Sequence, residues 1–306
     1  MNKLRIGTRD SALAVWQAQE VQRMLLQNGI DSELVLVKAE GDLNTSTPLH
    51  QMGGVGLFTK VLDNALLQHQ ADIAVHSLKD YPTQAPEGIQ IAAVLPRGNF
   101  RDLLIPKHDN TFLEDFNSQA TIATGSIRRR AQWRHRYPQH QLENLRGNVN
   151  TRLKKLNDHD WSGAIFAAAG LERIQLCPDH AVTLDWMVPA PAQGAIGIAC
   201  LKNRPDIAEC LTPLNHLATQ RATAEERAFL RTLEGGCSAP IGALVRPVDS
   251  GWHFEGVLIS PDGQKRCDVE TTCSDGELAG LGARMAKQIL QSGGDAIMKS
   301  IRDAGL

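Results

Sequence analysis

Short apolar segments alternate with amphipathic stretches along this chain, then do so again, and that double alternation restricts the fold more than composition does. Leu4 to Gly7 reads as a strand. Ser11 reads as the N-cap of a helix through Leu26, with Leu13, Trp16, Val21 and Leu25 on or near one face. Glu33 to Lys38 is a second strand. Phe58 to Gln68 is a helix with Val61, Leu62, Ala65 and Leu66 inward. Ile73 to Val75 and Ile89 to Val94 read as buried strands. After Leu103-Leu104-Ile105-Pro106 the alternation restarts: a strand near Ile122, a helix near Ala131, a strand near Leu142 to Leu145, a helix Val149 to Leu156, and a strand Ala164 to Ala167. Strands alternating with helices imply α/β domains with largely parallel sheets.

Past Pro189-Ala190-Pro191 the chain is expected to return to the first domain through Ala195 to Ala199. A helix near Thr223 to Leu233 leads to a third region. There Ala243 to Pro247, Trp252 to Ile259 and Gln264 to Glu270 read as antiparallel strands, with a turn at Pro261-Asp262-Gly263 and a last helix from Glu277 to Gln291. The expected architecture is α/β: two similar doubly wound lobes plus a small α+β C-terminal domain. The expected limits are 1–96 with 194–213, then 100–188, then 217–306.

Arginine marks the junctions between strand and helix. Arg128, Arg129 and Arg130 follow Thr124-Gly125-Ser126, where Ser126 reads as an N-cap and the helix must stop before Pro138. A cation in a first helical turn opposes the helix dipole at a cost of about 0.3–1 kcal/mol. Arg146 and Arg152 repeat the arrangement around Gly147 and Asn148, and Thr8-Arg9-Asp10-Ser11 echoes it in the first lobe. Taken singly, each arginine fits a solvated basic face. As a set they point to an anion between two lobes, at the carboxyl ends of the strands. The formal net charge of −2 argues against nucleic acid, which calls for a basic footprint. A small, densely anionic ligand fits better, because the guanidinium fork can grip carboxylates bidentately.

No stretch has the length and apolarity of a membrane span, and Leu4-Arg5-Ile6-Gly7 opens the chain as a strand without a signal-peptide core, so the expected place is the cytoplasm. The 6 cysteines lack metal spacing and read as reduced thiols, and no metal site is expected. Gly53-Gly54-Val55-Gly56 lacks the spacing of a phosphate loop and reads as a mobile lid or as a plain surface loop. Asp80, in His76-Ser77-Leu78-Lys79-Asp80 ahead of Tyr81-Pro82, stands at a strand's carboxyl end. It fits a general acid or base, and equally a turn-forming aspartate. Cys237, in Leu233-Glu234-Gly235-Gly236-Cys237-Ser238-Ala239-Pro240, reads as a thiol presented on a tight loop; the alternative is a buried small hydrophobe.

Seven stretches together resemble one family, the hydroxymethylbilane synthases, also called porphobilinogen deaminases. They are Arg5 to Ser11, Gly56-Leu57-Phe58, Ala71 to Asp80, Ser126 to Arg129, Leu145 to Val149, Pro191 to Ala195, and Leu233 to Cys237, in family order along nearly the whole chain. The resemblance implies periplasmic-binding-protein-like lobes and a dipyrromethane cofactor in thioether linkage to Cys237. Four porphobilinogen units would add head to tail, ammonia leaving each time, before hydrolysis frees hydroxymethylbilane. By matching position, Lys79, Ser126, Arg128, Arg129, Arg146 and Gly147 would bind the cofactor. Arg9, Ser11, Phe58, Arg152, Arg173 and Gln193 would serve the substrate. Asp80 would be the catalytic group, hydrogen-bonding pyrrole nitrogens and stabilising the azafulvene cation. The resemblance implies a monomer with no metal, nucleotide, nucleic acid or membrane partner.

The chain departs from the usual pattern at Val55, where many members have lysine. It departs again at Gly125, which replaces a serine and removes a hydroxyl, and at Arg101-Asp102, which lack the usual Asp-Pro before them. Two other readings compete: a binding protein for a dicarboxylate, and a cysteine hydrolase, for which His216 and His253 are the nearest histidines in sequence to Cys237.

Overall fold

The computed structural model describes residues 3–37, 59–233 and 239–303. Val55, Phe58 and Cys237 lie outside the described residues. The first lobe is built from β1 (Leu4–Thr8), α1 (Ala12–Gln27), β2 (Ser32–Leu36), α2 (Lys60–Leu67), β3 (Ile73–Ser77) and β4 (Ile89–Val94). The second contains β5 (Asp102–Pro106), β6 (Thr121–Ala123), α3 (Ile127–Arg136), β7 (Gln141–Glu143), α4 (Val149–Asp158), β8 (Gly163–Ala167), α5 (Ala168–Arg173) and β9 (Val182–Thr183). The chain then supplies β10 (Ile196–Leu201), α6 (Pro205–Leu211) and α7 (Leu217–Thr232). The third region holds β11 (Ile241–Val248), β12 (Gly251–Ile259), β13 (Arg266–Cys273), α8 (Leu281–Ile289) and α9 (Asp295–Asp303).

The two lobes share one topology. Their sheets run β2-β1-β3-β10-β4 and β7-β6-β8-β5-β9. In each, three parallel strands meet a fourth that arrives from the other lobe and runs antiparallel, β10 against β3 and β5 against β8. The sheets are therefore mixed rather than largely parallel. A strand fed in by a crossover enters from the opposite end, a path that strand and helix periodicity does not reveal.

Strand alternation sends successive side chains to opposite faces. Ile73 and Val75 pack under α1 in one core, while Ala74 packs with Leu62 and Leu66 of α2 in another. The second lobe repeats this, with Leu103 and Ile105 on one face and Leu104 on the other. The two crossing segments run side by side: Gly98 N donates to the Gly194 carbonyl at 3.1 Å and Leu95 N to that of Ile196 at 3.0 Å. Gly194 has φ +84°, and a Cβ there would meet the Gly98 carbonyl oxygen at 2.7 Å, so only glycine fits.

The third region is the expected small α+β unit, with an antiparallel β11-β12-β13 sheet packed against helices. Its last helix differs from expectation. α8 ends at Ile289, the backbone turns at Ser292 and Gly293 (φ +102°), and α9 follows. A glycine pair inside an amphipathic pattern reads as a weak helix interior, and here it is a break. This region touches both lobes. Gly263 of the β12–β13 turn abuts α3, where a Cβ would meet His135 N at 2.8 Å. α7, which leads into this region, meets the first lobe after β3, with Arg227 Nη1 donating to the Tyr81 carbonyl at 2.8 Å.

Candidate active site

Two arginines of α3, Arg128 and Arg129, are buried, which overturns the solvated-face alternative for them. Arg128 and Arg129 are each 5% exposed. Both reach Asp102, the fully buried first residue of β5: Arg128 Nη1 lies 2.8 Å from Oδ2 and Arg129 Nη2 2.8 Å from Oδ1. Burial works against the Asp102 charge, but the two guanidiniums overcome it and hold the carboxyl at about 2. Arg129 is tied down further, donating from Nη1 to the Ile165 carbonyl at 2.8 Å. Arg128 donates to the Val188 carbonyl at 2.7 Å, yet its Nε is buried without a hydrogen-bond partner among the described residues. Two cations thus share one carboxylate, and Arg128 Nε and Asp102 Oδ2 are both buried without a hydrogen-bond partner among the described residues.

Ser126 caps α3 as expected, accepting from Arg129 N at 3.4 Å. Gly125 has a steric reason: a Cβ would meet the Leu145 carbonyl oxygen at 2.5 Å. The absent side chain lets the β6–α3 turn close on the loop that carries Arg146, itself 7% exposed. Gly147, at φ +111°, turns the chain so that its carbonyl accepts from Arg152 Nε at 2.7 Å. Arg152 lies within electrostatic reach of Arg129, Asp80 and Arg146. Burial first, then its cationic neighbours, push its guanidinium down to about 10.

Among the described residues the first lobe approaches this cluster with a 3-10 turn, Leu78–Asp80, at the end of β3. Asp80 is exposed and Lys79 half-buried. Lys79 Nζ donates to Gln193 Oε1 at 3.3 Å, and Gln193 Nε2 donates to Asp102 Oδ1 at 2.9 Å. One hydrogen-bonded path therefore joins the first-lobe turn, the second crossing segment and the arginine pair of the second lobe. Desolvation, together with Arg129 and Arg128, lowers Lys79 to about 8 against the pull of Asp80 and Asp102. Beneath the turn Asp63, His76 and Tyr81 form a buried cluster, with the His76 and Tyr81 ring centroids 4.7 Å apart. Burial raises Asp63 to about 6 and lowers His76 to about 3.

The remaining expected residues are more dispersed. Ser11 caps α1, accepting from Ala14 N at 3.4 Å. Arg9 lies within electrostatic reach of His76. Arg173 sits at the crossing, where it donates to the Gly194 carbonyl at 2.7 Å and lies over Trp16 of the first lobe at 5.6 Å. Gln193 is fully buried at the same crossing.

Sequence reasoning passed over two acids. Asp102 stands immediately before the apolar run Leu103-Leu104-Ile105, where a charge entering a buried strand must find a cation. Glu226 lies on the apolar side of α7 with Ala222 and Phe229, and is fully buried. It takes Arg97 through both oxygens, at 2.5 and 3.0 Å, and accepts from Ala192 N at 2.6 Å and Val245 N at 2.7 Å.

A two-lobed α/β protein with a buried arginine cluster linked to the opposite lobe through Gln193 and Lys79, and an appended third domain, is the class that these features define. Residues 4–209 match the family described as porphobilinogen deaminase, dipyromethane cofactor binding domain, and residues 219–291 match the porphobilinogen deaminase C-terminal domain. A porphobilinogen deaminase of Acidithiobacillus ferrooxidans is 39% identical over 310 residues, covering 99% of both chains. One of Syntrophomonas wolfei is 38% identical over 311 residues, covering 99% of this chain and 100% of its own. Among solved structures, the Bordetella pertussis BvgS VFT2 domain aligns at a TM-score of 0.43 with 13% identity, over 74% of this chain and 90% of its own. An ancestral cationic amino acid solute binding protein aligns at 0.42 with 12% identity, over 75% and 90%. Likeness at that level carries no functional argument.

The chain belongs to the porphobilinogen deaminase family. It is a transferase of tetrapyrrole biosynthesis that condenses four porphobilinogen molecules on a dipyrromethane primer, releasing ammonia and then hydroxymethylbilane. No described helix is long and apolar enough to cross a membrane.

Proposed function

We propose that the cleft between the lobes is the polymerisation site, with Asp80 as its acid–base group and Cys237 as the point of cofactor attachment. The observation that carries this reading is the imbalance at Asp102: two buried guanidiniums on one carboxylate, with Arg128 Nε unspent. Two guanidiniums on one carboxylate leave a net positive charge, which an anionic ligand neutralises. Pyrrole rings bearing acetate and propionate are such ligands, and the residues present fit them.

When bound, dipyrromethane supplies the pyrrole carbon that accepts the first unit. Ser126, Arg128, Arg129, Arg146, Gly147 and Lys79 hold its carboxylates. Arg9, Ser11, Arg152, Arg173, Phe58 and Gln193 serve the incoming unit. Asp80, exposed on a turn braced by Lys79 and its neighbours, hands a proton to the departing amine. Once ionised, it stabilises the positive charge that remains on the substrate, and it then takes the proton released when the new bond forms. Arg129 and Gln193 tie the cleft floor to the crossing segments, so the carboxylate grips keep their spacing from Asp80.

The chain is proposed to work as a cytoplasmic monomer without nucleic acid. Its units are proposed as 1–96 with 194–213, 100–188 and 217–306. Intact mass under denaturing conditions, with peptide mapping, tests the attachment. Wild-type apoprotein incubated with preformed hydroxymethylbilane and then with porphobilinogen, so that product is released, keeps a dipyrromethane on Cys237, and Cys237→Ser does not. A loaded Cys237→Ser protein would overturn the assignment.

A further inference from the structure

The residue after Glu226 points a second cation at the first lobe. Arg227 Nη1 donates to the carbonyls of Leu78 at 3.2 Å and Tyr81 at 2.8 Å, and Nη2 donates to that of Pro82. Its guanidinium also lies 6.0 Å from the centroid of the Tyr81 ring. One guanidinium therefore brackets the turn that presents Lys79 and Asp80, gripping one carbonyl before them and two after.

That turn needs an external brace. A lone 3-10 turn of three residues has poor internal hydrogen-bond geometry and little stability of its own. Asp80, at the end of that turn, is exposed. Arg227 is well seated to supply the brace. It is on α7 beside Glu226, whose carboxylate is locked by Arg97 and two backbone amides. The same helix is pinned to the crossing through Thr219, which accepts from Arg97 N at 3.1 Å. It also leads, in sequence, toward Cys237.

We propose that Arg227 is a positioning residue for the reaction: it fixes the Leu78–Pro82 turn so that Asp80 keeps its place relative to the third domain. The inference rests on the reading of Asp80 as the acid–base group. Arg227 touches neither substrate nor cofactor in this role. Its loss therefore slows the chemical step and leaves ground-state binding of porphobilinogen nearly unchanged.

The test compares wild-type holoenzyme with Arg227→Gln, Arg227→Lys and Asp80→Asn. Cofactor content by denaturing mass, melting temperature, kcat and KM for porphobilinogen are measured for each. Arg227→Gln is expected to keep its cofactor and melt near wild type, with kcat down on the order of 10–100-fold and KM within about threefold, because small misplacement of a catalytic group acts on the transition state. Arg227→Lys, which keeps charge and reach but not the fork, is expected to recover part of kcat. It alone decides the matter if the glutamine variant does not fold: lowered kcat with unchanged KM supports the inference, and wild-type kcat overturns it. Wild-type kcat in Arg227→Gln while Asp80→Asn is slow overturns the positioning role alone. So does a joint fall of loading, melting temperature, kcat and KM performance in both arginine variants, which marks a purely structural contact. Near-normal turnover of Asp80→Asn overturns the acid–base reading and this inference with it.

Discussion

Two buried arginine–carboxylate sites lie close together in this protein and differ in how they balance. At Glu226 one carboxylate meets one guanidinium and two backbone N–H groups, so charge is neutral and its acceptors are occupied. At Asp102 one carboxylate meets two guanidiniums, Gln193 adds a donor, and Lys79 stands at the far end of that amide. The first site is closed and serves to fasten α7 to the crossing segments. The second carries surplus positive charge and is linked through Gln193 to Lys79 of the first-lobe turn. The same residue types thus make a fastener or an anion receptor according to count, and only the receptor has a reason to hold a ligand.

Breaking the closed site has the largest expected effect. Glu226→Ala strands Arg97 in the interior and is expected to cost about 3–5 kcal/mol of stability, read as a lowered denaturation midpoint. A loss under about 1 kcal/mol would show that the site is not the fastener described, since breaking a buried pair leaves an uncompensated charge. Breaking the open site acts on binding instead. Arg128→Leu leaves Asp102 with Arg129 and Gln193, so the protein stays folded while carboxylate binding weakens by about 1.5–3 kcal/mol, the worth of a charged hydrogen bond. Measured affinity for a porphobilinogen-derived carboxylate ligand at wild-type strength would contradict the receptor reading.

A smaller effect is expected at Gly125. Gly125→Ser drives a Cβ against the Leu145 carbonyl and is expected to cost about 1–3 kcal/mol by overpacking, with slower cofactor loading because Arg146 moves. Loading at the wild-type rate would mean that the two arginine loops need not touch.

The smallest effect is a pH dependence. Burial lowers Lys79 to about 8, so its charge is present below that pH and fades above it. Cofactor loading should therefore weaken as pH rises through about 8, and Lys79→Arg, which stays charged, should flatten the profile. An unchanged profile in the arginine variant would remove Lys79 from the carboxylate grip.

Much of this was legible in the chain. Ser11 and Ser126 cap the helices that they were expected to cap, and the strands at Ile73 and Ile89 fall where apolar runs place them. Periodicity and capping are local, and local signals survive folding. The crossing strands were less legible, because β5 and β10 gain their partners from distant sequence and nothing within them encodes direction. The burial of Arg128 and Arg129 depends on Asp102 in another element, and arginine at a helix start reads alike whether it meets water or a carboxylate. Asp102 and Glu226 did leave a signal, an acid against an apolar run. Their partners are long-range and could be named only once the lobes were folded.

The most direct test of the receptor reading is cofactor capture by apoprotein. Wild type and Arg128→Leu are incubated with preformed hydroxymethylbilane and followed by intact mass under denaturing conditions. The expected result is a gain of hydroxymethylbilane less one water on wild type and little or none on the folded variant over the same time. Equal gain on both would contradict the claim that the surplus charge at Asp102 captures the primer.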